Sequence, residues 1–470
     1  MRLITSFASD GVRLDFPCAL VFQMQCPERL AETASQRQPR NLQASARVRC
    51  FQSERPASMS TIPEVKAWPA PYPTRDNEAP HSGISAVQVV ILAAACGLTV
   101  ANIFYTQPLI GLIGPALGLH AGLAGLIVTL TQLGYGAGLL LLVPLSDVLE
   151  NRRLVIWALS AVVLGLLGIA LSNSAATFMA SSFVVGVFAA ATQILVPFAS
   201  HLAPEASRGK VVGNVMSGLL GGIMLARPFS SYVASTLGWH AVFYISAGMM
   251  LTLILLLLRA LPQRRPSAKL AYPQILRSLP SIVASIPTLR RRAFYQGMMF
   301  AGFNVFWIGT PLFLAHEFGF NQRGIALFTL AGAAGALAAP IAGRLADRGL
   351  TRPATGAALV AAVAAFVLAI AGGRLHSLAL LILAALLLDA AVQMCQVLSL
   401  RSIYTLAPAL RGRLNGLFVA FAFLGGATGS GLAPAVYALR GWTAVGGLGA
   451  LFVVAALAYY STEVWGGSRV

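Results

Sequence analysis

The chain has 470 residues, of which 57% are hydrophobic and only 10% charged. Soluble domains carry about 25% charged residues, so a soluble globular protein is excluded; 45 glycines without a G-X-Y period exclude collagen as well. The net charge of +18 would suit nucleic acid in a soluble chain, but a chain this apolar reads as a polytopic membrane protein, and the charge becomes a question of location.

Residues 1–83 are polar, rich in Pro, Ser, Gln and Arg, and lack sustained periodicity. The apolar stretch at Phe16–Phe22 is too short to span a bilayer, and no signal-peptide pattern surrounds it. Two readings stand side by side: a disordered cytosolic tail, or a start placed too far upstream, with Met59 as the native first residue.

From Ile84 the chain runs as apolar blocks of roughly 20–27 residues, the length a helix needs to cross a bilayer. The expected spans are 86–110, 121–143, 154–173, 176–202, 211–235, 240–258, 293–316, 324–343, 354–373, 377–400, 414–437 and 443–462. The fold class is therefore all-α, with twelve transmembrane helices. The longest link, 259–292, holds an amphipathic piece from Ile275 to Ile286, interrupted by Pro280, and the run Arg290-Arg291-Arg292. It reads as a cytosolic linker suited to the membrane surface. It divides the chain into an N-terminal bundle, 84–258, and a C-terminal bundle, 293–470.

Of the 23 Lys and Arg residues after residue 83, nineteen fall in the links after even-numbered spans or at the C-terminus. Arg323, Arg374 and Arg440 lie on the other side, and Arg227 lies inside a span. Lys and Arg mark the cytosolic side, so both termini are expected there. The charge is a topology signal, and no nucleic-acid partner is expected.

The two halves repeat each other. Asp147 matches Asp347 and Arg152 matches Arg352 at an offset of 200. Arg208-Gly209-Lys210 matches Arg411-Gly412-Arg413, Gly213 matches Gly416, Gln193 matches Gln396, and Gly238-Trp239 matches Gly441-Trp442, all at 203. Parallel halves with substrate between them are a known transporter arrangement.

The turn at Pro144-Leu145-Ser146-Asp147-Val148-Leu149-Glu150-Asn151-Arg152-Arg153 and its copy at Gly343-Arg344-Leu345-Ala346-Asp347-Arg348-Gly349-Leu350-Thr351-Arg352 resemble the G-x-L-x-D-R-x-G-R-R element of the major facilitator superfamily. The second copy fits from Gly343 through Arg348 and again at Arg352; the first has Val143 at the usual Gly and Val148 at the usual Arg. Asn102-Ile103-Phe104-Tyr105-Thr106-Gln107-Pro108 resembles the N-x-x-Y-x-Q-P element of a bacterial arabinose and multidrug efflux branch. The resemblance covers residues 84–462. It implies two six-helix bundles, a bacterial inner-membrane location, and a turn that latches the halves through Asp147, Arg152, Arg153, Asp347, Arg348 and Arg352. Arg152, Arg348 and Arg352 are candidate partners for the two aspartates; the plainer alternative is helix-end charge that anchors topology.

Arg227, just before Pro228, is costly in a bilayer and is expected to face a cavity or a partner. It stands where drug antiporters of the family carry Gly. Its alternatives are neutralisation by substrate or a carboxylate, and a hydrogen bond to carbonyls freed by Pro228. Asp389 lies deep in the tenth span, and burial disfavours a bare charge there, which suits a proton carrier. Asn102, Tyr105, Gln107, Gln132, Gln193, Asn304, Trp307, Gln393 and Gln396 are candidates for the substrate cavity or for holding helices together. Glycine pairs at Gly134/Gly138, Gly218/Gly222 and Gly425/Gly429 permit close helix approach, either for sliding or for tight packing.

The five cysteines (Cys18, Cys26, Cys50, Cys96, Cys395) and six histidines form no metal or redox spacing, and there is no P-loop. No cofactor and no enzymatic activity are expected. The function expected is proton-coupled export of a small organic compound by a monomer. A proton-coupled uptake symporter shares every feature, and a membrane enzyme or sensor lacks a polar catalytic cluster.

Overall fold

A computed structural model describes residues 84–264, 271–406 and 410–466. The N-terminal extension 1–83, with Met59, Cys18, Cys26, Cys50 and His81, lies outside the described residues, as do Arg265 and Lys269 of the central link.

Among the described residues every regular element is helical. Helix α1 spans Ala86–Ala101 and α2 spans Ile110–Ala116. Then come α3 (Leu126–Leu141), α4 (Asn151–Ala170), α5 (Ala175–Ala189), α6 (Thr192–Leu202), α7 (Arg208–Leu237) and α8 (Trp239–Ala260). Helix α9 (Tyr272–Ser285) lies in the central link. The second half holds α10 (Pro287–Glu317), α11 (Gln322–Ala333), α12 (Ala339–Asp347), α13 (Thr351–Arg374), α14 (Leu378–Tyr404) and α15 (Arg411–Gly466).

Nine stretches among the described residues are long and apolar enough to cross a membrane. One of them, Arg411–Glu463, has 53 residues. At 1.5 Å per residue it would reach about 80 Å, more than twice a bilayer core of about 30 Å. Gly441, with φ 69°, breaks it, so the expected spans 414–437 and 443–462 lie on either side of one turn. The expected span 86–110 is helix α1, a non-helical turn at 102–106 and a short 3-10 stretch. The expected span 324–343 is α11 and α12, joined by a 3-10 segment at Ala334–Ala338.

The starts of the helices follow from local chemistry. Ser85 and Gln88 form a reciprocal capping box at α1. The Glu150 carboxylate accepts from the backbone N–H groups of Arg152 and Arg153 at the start of α4. Asn102 ends α1 because its side-chain amide donates to Leu98 O at 2.9 Å and Thr99 O at 3.2 Å, competing with the helical ladder.

The repeat is visible in the backbone. Gly238 (φ 82°) and Gly441 (φ 69°) both adopt the left-handed conformation open to glycine, and each is followed by a buried tryptophan, Trp239 or Trp442. The glycine pairs are sites of backbone-to-backbone contact. A Cβ on Gly222 would overlap the Gly97 carbonyl of α1, and one on Gly425 would overlap the Gly297 carbonyl of α10. Gly134 and Gly138 meet Phe183 and Val187 of α5 in the same way. All three crossings join helices of one half, so they pack each half tightly rather than provide a sliding surface between halves.

Between the halves, α3 runs antiparallel to the first part of α15. The Tyr135 and Phe423 rings meet at 4.4 Å with a 44° tilt, and Thr129 Oγ1 donates to Ala427 O at 3.1 Å. Helix α7 packs against α11. Helix α9 does not leave its apolar face free. Ile275, Leu279 and Ile282 are buried; Leu279 and Ile282 cluster with Leu289, Ile403, Leu414 and Phe418. Tyr272 donates its hydroxyl to Leu141 O at 2.8 Å, at the end of α3. The run Arg290-Arg291-Arg292, expected in the link, belongs to α10, and Arg292 is buried.

Candidate functional site

Three helices and one turn bring the buried polar groups together. The break after α1 leaves Gln107 in a short 3-10 segment facing the other half. Helix α7 is mostly outward-facing, yet Arg227, Ser230 and Ser231 are buried. Helix α10 is buried along most of its length and presents Asn304 and Trp307 three residues apart, on one face. Helix α14 supplies Asp389.

Arg227 is 5% exposed and Asp389 7% exposed. Arg227 Nε donates to Gln107 Oε1 at 2.7 Å. Gln107 Nε2 donates across the halves to Asn304 Oδ1 at 2.9 Å. Gln132 Nε2 reaches the same oxygen at 2.5 Å, and Ser430 Oγ at 3.4 Å. The Arg227 guanidinium sits 5.2 Å from the Phe104 ring centroid, 5.0 Å from Phe303 and 4.8 Å from Trp307, a three-sided aromatic enclosure of a cation. Trp307 Nε1 donates to Asp389 Oδ1 at 2.8 Å. The two buried charges thus both contact one indole, Arg227 at its face and Asp389 at its N–H, and one is contributed by each half. Arg227 Nη2, Gln132 Oε1 and Ser231 Oγ are buried without a hydrogen-bond partner among the described residues.

The remaining candidates lie apart from this network. Gln193 Nε2 donates to the Tyr135 hydroxyl at 3.2 Å, and Asn415 Nδ2 donates to Gln193 Oε1 at 3.2 Å. That is a second bridge between the halves, nearer the far end of α3. Asn102 accepts from Ser246 Oγ at 2.6 Å, which ties α1 to α8. Tyr105 is buried, its ring 5.6 Å from Phe229. Gln393 and Gln396 are half-buried on α14 and are absent from the Arg227 network; the repeat relation of Gln396 to Gln193 does not carry over into matching contacts.

At the ends of α12 and α3 the ionic partners differ from those the sequence suggests. Arg401 Nη2, from the last turn of α14, pairs with Asp347 Oδ1 at 2.6 Å. Arg348 is exposed, while Arg352 pairs with Glu463 at 4.0 Å. Arg152 donates to Leu258 O, and Arg153 pairs with Glu150 at 3.8 Å. The charges acting on Asp147 are Arg413 and Arg264. Sequence reasoning also missed a buried cluster: Arg292 donates to Thr355 Oγ1 at 2.8 Å and pairs with Glu463 at 3.3 Å, and Tyr295 donates to Glu463 Oε2 at 2.9 Å. An acid as rare as Glu463 in so apolar a chain was the available signal.

A family model described as the Major Facilitator Superfamily matches residues 90–373 and 292–464. The Escherichia coli (strain K12) transporter YgaY is 40% identical over 367 residues, covering 78% of this chain and 93% of its own length. The Streptomyces coelicolor transporter SCO4007 is 30% identical over 391 residues, covering 82% and 90%. A crystal structure of a D-xylose–proton symporter superposes with a TM-score of 0.65 at 17% identity, covering 80% of this chain and 97% of that one. These relatives are transporters, not enzymes. With its apolar helices, its repeated halves and these matches, the chain belongs to the Major Facilitator Superfamily and is a multi-pass membrane transporter.

Proposed function

We propose that the chain is a proton-coupled secondary transporter of a small organic compound, working by alternating access as a monomer in a bacterial inner membrane. The observation that carries this reading is the buried pair Arg227 and Asp389, one from each half, both in contact with Trp307. Two opposite charges at such depth are costly. Their position at the boundary of the halves suits a site where protonation of Asp389 changes what Arg227 holds. Gln107, Gln132 and Asn304 belong to the same substrate site in this reading, and Asn102, Tyr105, Gln193, Gln393 and Gln396 are assigned to its approaches. The concentration of Lys and Arg in one set of links supports cytosolic termini.

The halves 84–258 and 293–470 act as the rocking bodies, joined by the linker 259–292. Asp347 with Arg401, and Asp147 near Arg413 and Arg264, form the latch, with Arg152, Arg153, Arg348 and Arg352 as neighbouring charge. Export against inward proton flow is the direction suggested by the efflux-branch resemblance. Uptake together with the proton is the second reading, favoured by the unpartnered nitrogen of Arg227.

The test is solute flux in proteoliposomes under an imposed pH gradient, with Asp389→Asn beside the wild type. Gradient-driven, uncoupler-sensitive flux that Asp389→Asn loses supports the proposal. Equal gradient-driven flux in both proteins overturns it.

A further inference from the structure

The planar guanidinium of an arginine presents one edge, made of Nε and Nη2, that receives both oxygens of a carboxylate. In Arg227 this edge is half occupied. Nε holds the amide oxygen of Gln107 at 2.7 Å, and Nη2 is buried without a partner among the described residues. Phe104, Phe303 and Trp307 surround the group, so water is a poor substitute partner. Asp389 does not supply the missing acceptor: among the described residues it forms no ion pair with Arg227, and its Oδ1 takes the Trp307 indole.

The bond from Gln107 to Asn304 is also replaceable. Three donors, from Gln107, Gln132 and Ser430, converge on Asn304 Oδ1, which has two lone pairs. One donor is surplus. Removing the Gln107 side chain from Arg227 and Asn304 leaves that oxygen satisfied.

We propose that this half-occupied edge takes a small organic carboxylate, seated bidentately on Arg227 Nε and Nη2 in place of Gln107 Oε1, and that it binds together with a proton on Asp389. This rests on the reading of Arg227 and Asp389 as the transport site, and on the second of the two directions, uptake together with the proton. With Asp389 ionised the pair is neutral, and an added anion leaves one buried negative charge. A proton on Asp389 removes it. Each ligand therefore strengthens the other by the same factor, and anion and proton travel in the same direction. The groups facing Asp389 are few. Helix α7 supplies Arg227, the only charge acting on it among the described residues, and α10 supplies the Trp307 indole. The segment Ala334–Ala338 supplies Gly335, packed against the Asp389 Cβ.

The test is calorimetric titration of the purified full chain in lipid nanodiscs with acetate, lactate and benzoate, and with benzamide as a neutral isostere of benzoate. At least one carboxylate should bind, with affinity rising up to about tenfold per unit fall in pH and with uptake of up to one proton per anion. Benzamide should bind at least tenfold more weakly than benzoate wherever benzoate binds. Arg227→Lys, which keeps the charge but lacks the edge, should weaken binding at least tenfold. Asp389→Asn should bind the anion with an affinity independent of pH. Failure of all three carboxylates, equal binding of benzamide, or affinity that falls as pH falls would overturn the proposal. Gradient-driven flux of a neutral or cationic solute without carboxylate binding would overturn this site assignment and leave the proton-coupling reading standing. Carboxylate binding with the stated pH signature but without gradient-driven flux would do the reverse.

Discussion

Trp307 donates its indole N–H to Asp389 Oδ1 at 2.8 Å while its ring face lies 4.8 Å from the Arg227 guanidinium. One side chain therefore touches both buried charges, and does so from the helix that also carries Asn304. Its two contacts separate chemically. The first needs the N–H and the second needs only the ring.

That separation gives the first prediction. Trp307→Phe keeps a ring beside Arg227 and removes the donor to Asp389. A hydrogen bond to a charged group contributes about 1.5–3 kcal/mol. Gradient-driven flux should fall roughly ten- to hundredfold, with the melting temperature lowered by a few degrees as the buried bond and part of the ring's packing are lost. Trp307→Ala, losing both contacts, should fall further. Initial rates in proteoliposomes check this, and an unchanged rate in Trp307→Phe would detach the indole from the coupling.

The crossing of α1 and α7 gives a second. A Cβ on Gly222 would overlap the Gly97 backbone, whereas one on Gly221 meets nothing within 4 Å. Overpacking costs about 1–3 kcal/mol. Gly222→Ala should lower the melting temperature of the purified protein by several degrees, and Gly221→Ala should leave it within about 0.5 kcal/mol of wild type. Gly425→Ala should behave like Gly222→Ala, because it meets Gly297 in the equivalent crossing.

Arg292 provides the third. Its side chain is 7% exposed and its partner Glu463 is 22% exposed. Removing one member of a buried pair costs about 3–5 kcal/mol, reduced here because Tyr295 and Arg352 keep hold of Glu463. Arg292→Ala should melt clearly lower than wild type. The double variant Arg292→Met with Glu463→Gln should recover part of the loss. Thermal melts in detergent decide it, and additive losses in the double variant would contradict the pairing.

The Asp347–Arg401 pair is different. Its side chains are 53% and 43% exposed, so it contributes at most about 1 kcal/mol to stability. If it acts as a latch, Asp347→Asn should leave the melting temperature nearly unchanged. It should still alter, by threefold or more, the rate at which a cysteine at Asn415→Cys reacts with maleimide. Equal labelling rates with and without Asp347→Asn would reduce the pair to helix-end charge.

The helices were readable because an apolar block of bilayer length leaves little else for a chain to do. Their interruptions were less so. Asn102 ends α1 through side-chain bonds to its own backbone, which hydropathy does not register. The break at Gly441 was visible as a polar gap and as a repeat of Gly238, and both adopt positive φ. Arg227 and Asp389 stood out as isolated charges, but the indole joining them belongs to a third helix in the other half from Arg227, and no sequence spacing announces that. The repeat did hold a clue. At an offset of 203, Arg227 corresponds to Ser430 and Asp389 to Gly186, so each charge is a departure of one half from the other. The Asp347 partner was misjudged because neighbouring arginines were considered, whereas Arg401 arrives from 54 residues away at the end of α14.

A proton on Asp389 and an anion on Arg227 govern transport together. The most direct measurement is accumulation of a radiolabelled carboxylate in proteoliposomes under an imposed pH gradient, alongside equilibrium exchange of the same solute without a gradient. For the wild type the account predicts accumulation that an uncoupler abolishes. For Asp389→Asn it predicts exchange without accumulation. Accumulation in Asp389→Asn equal to that of the wild type would contradict it.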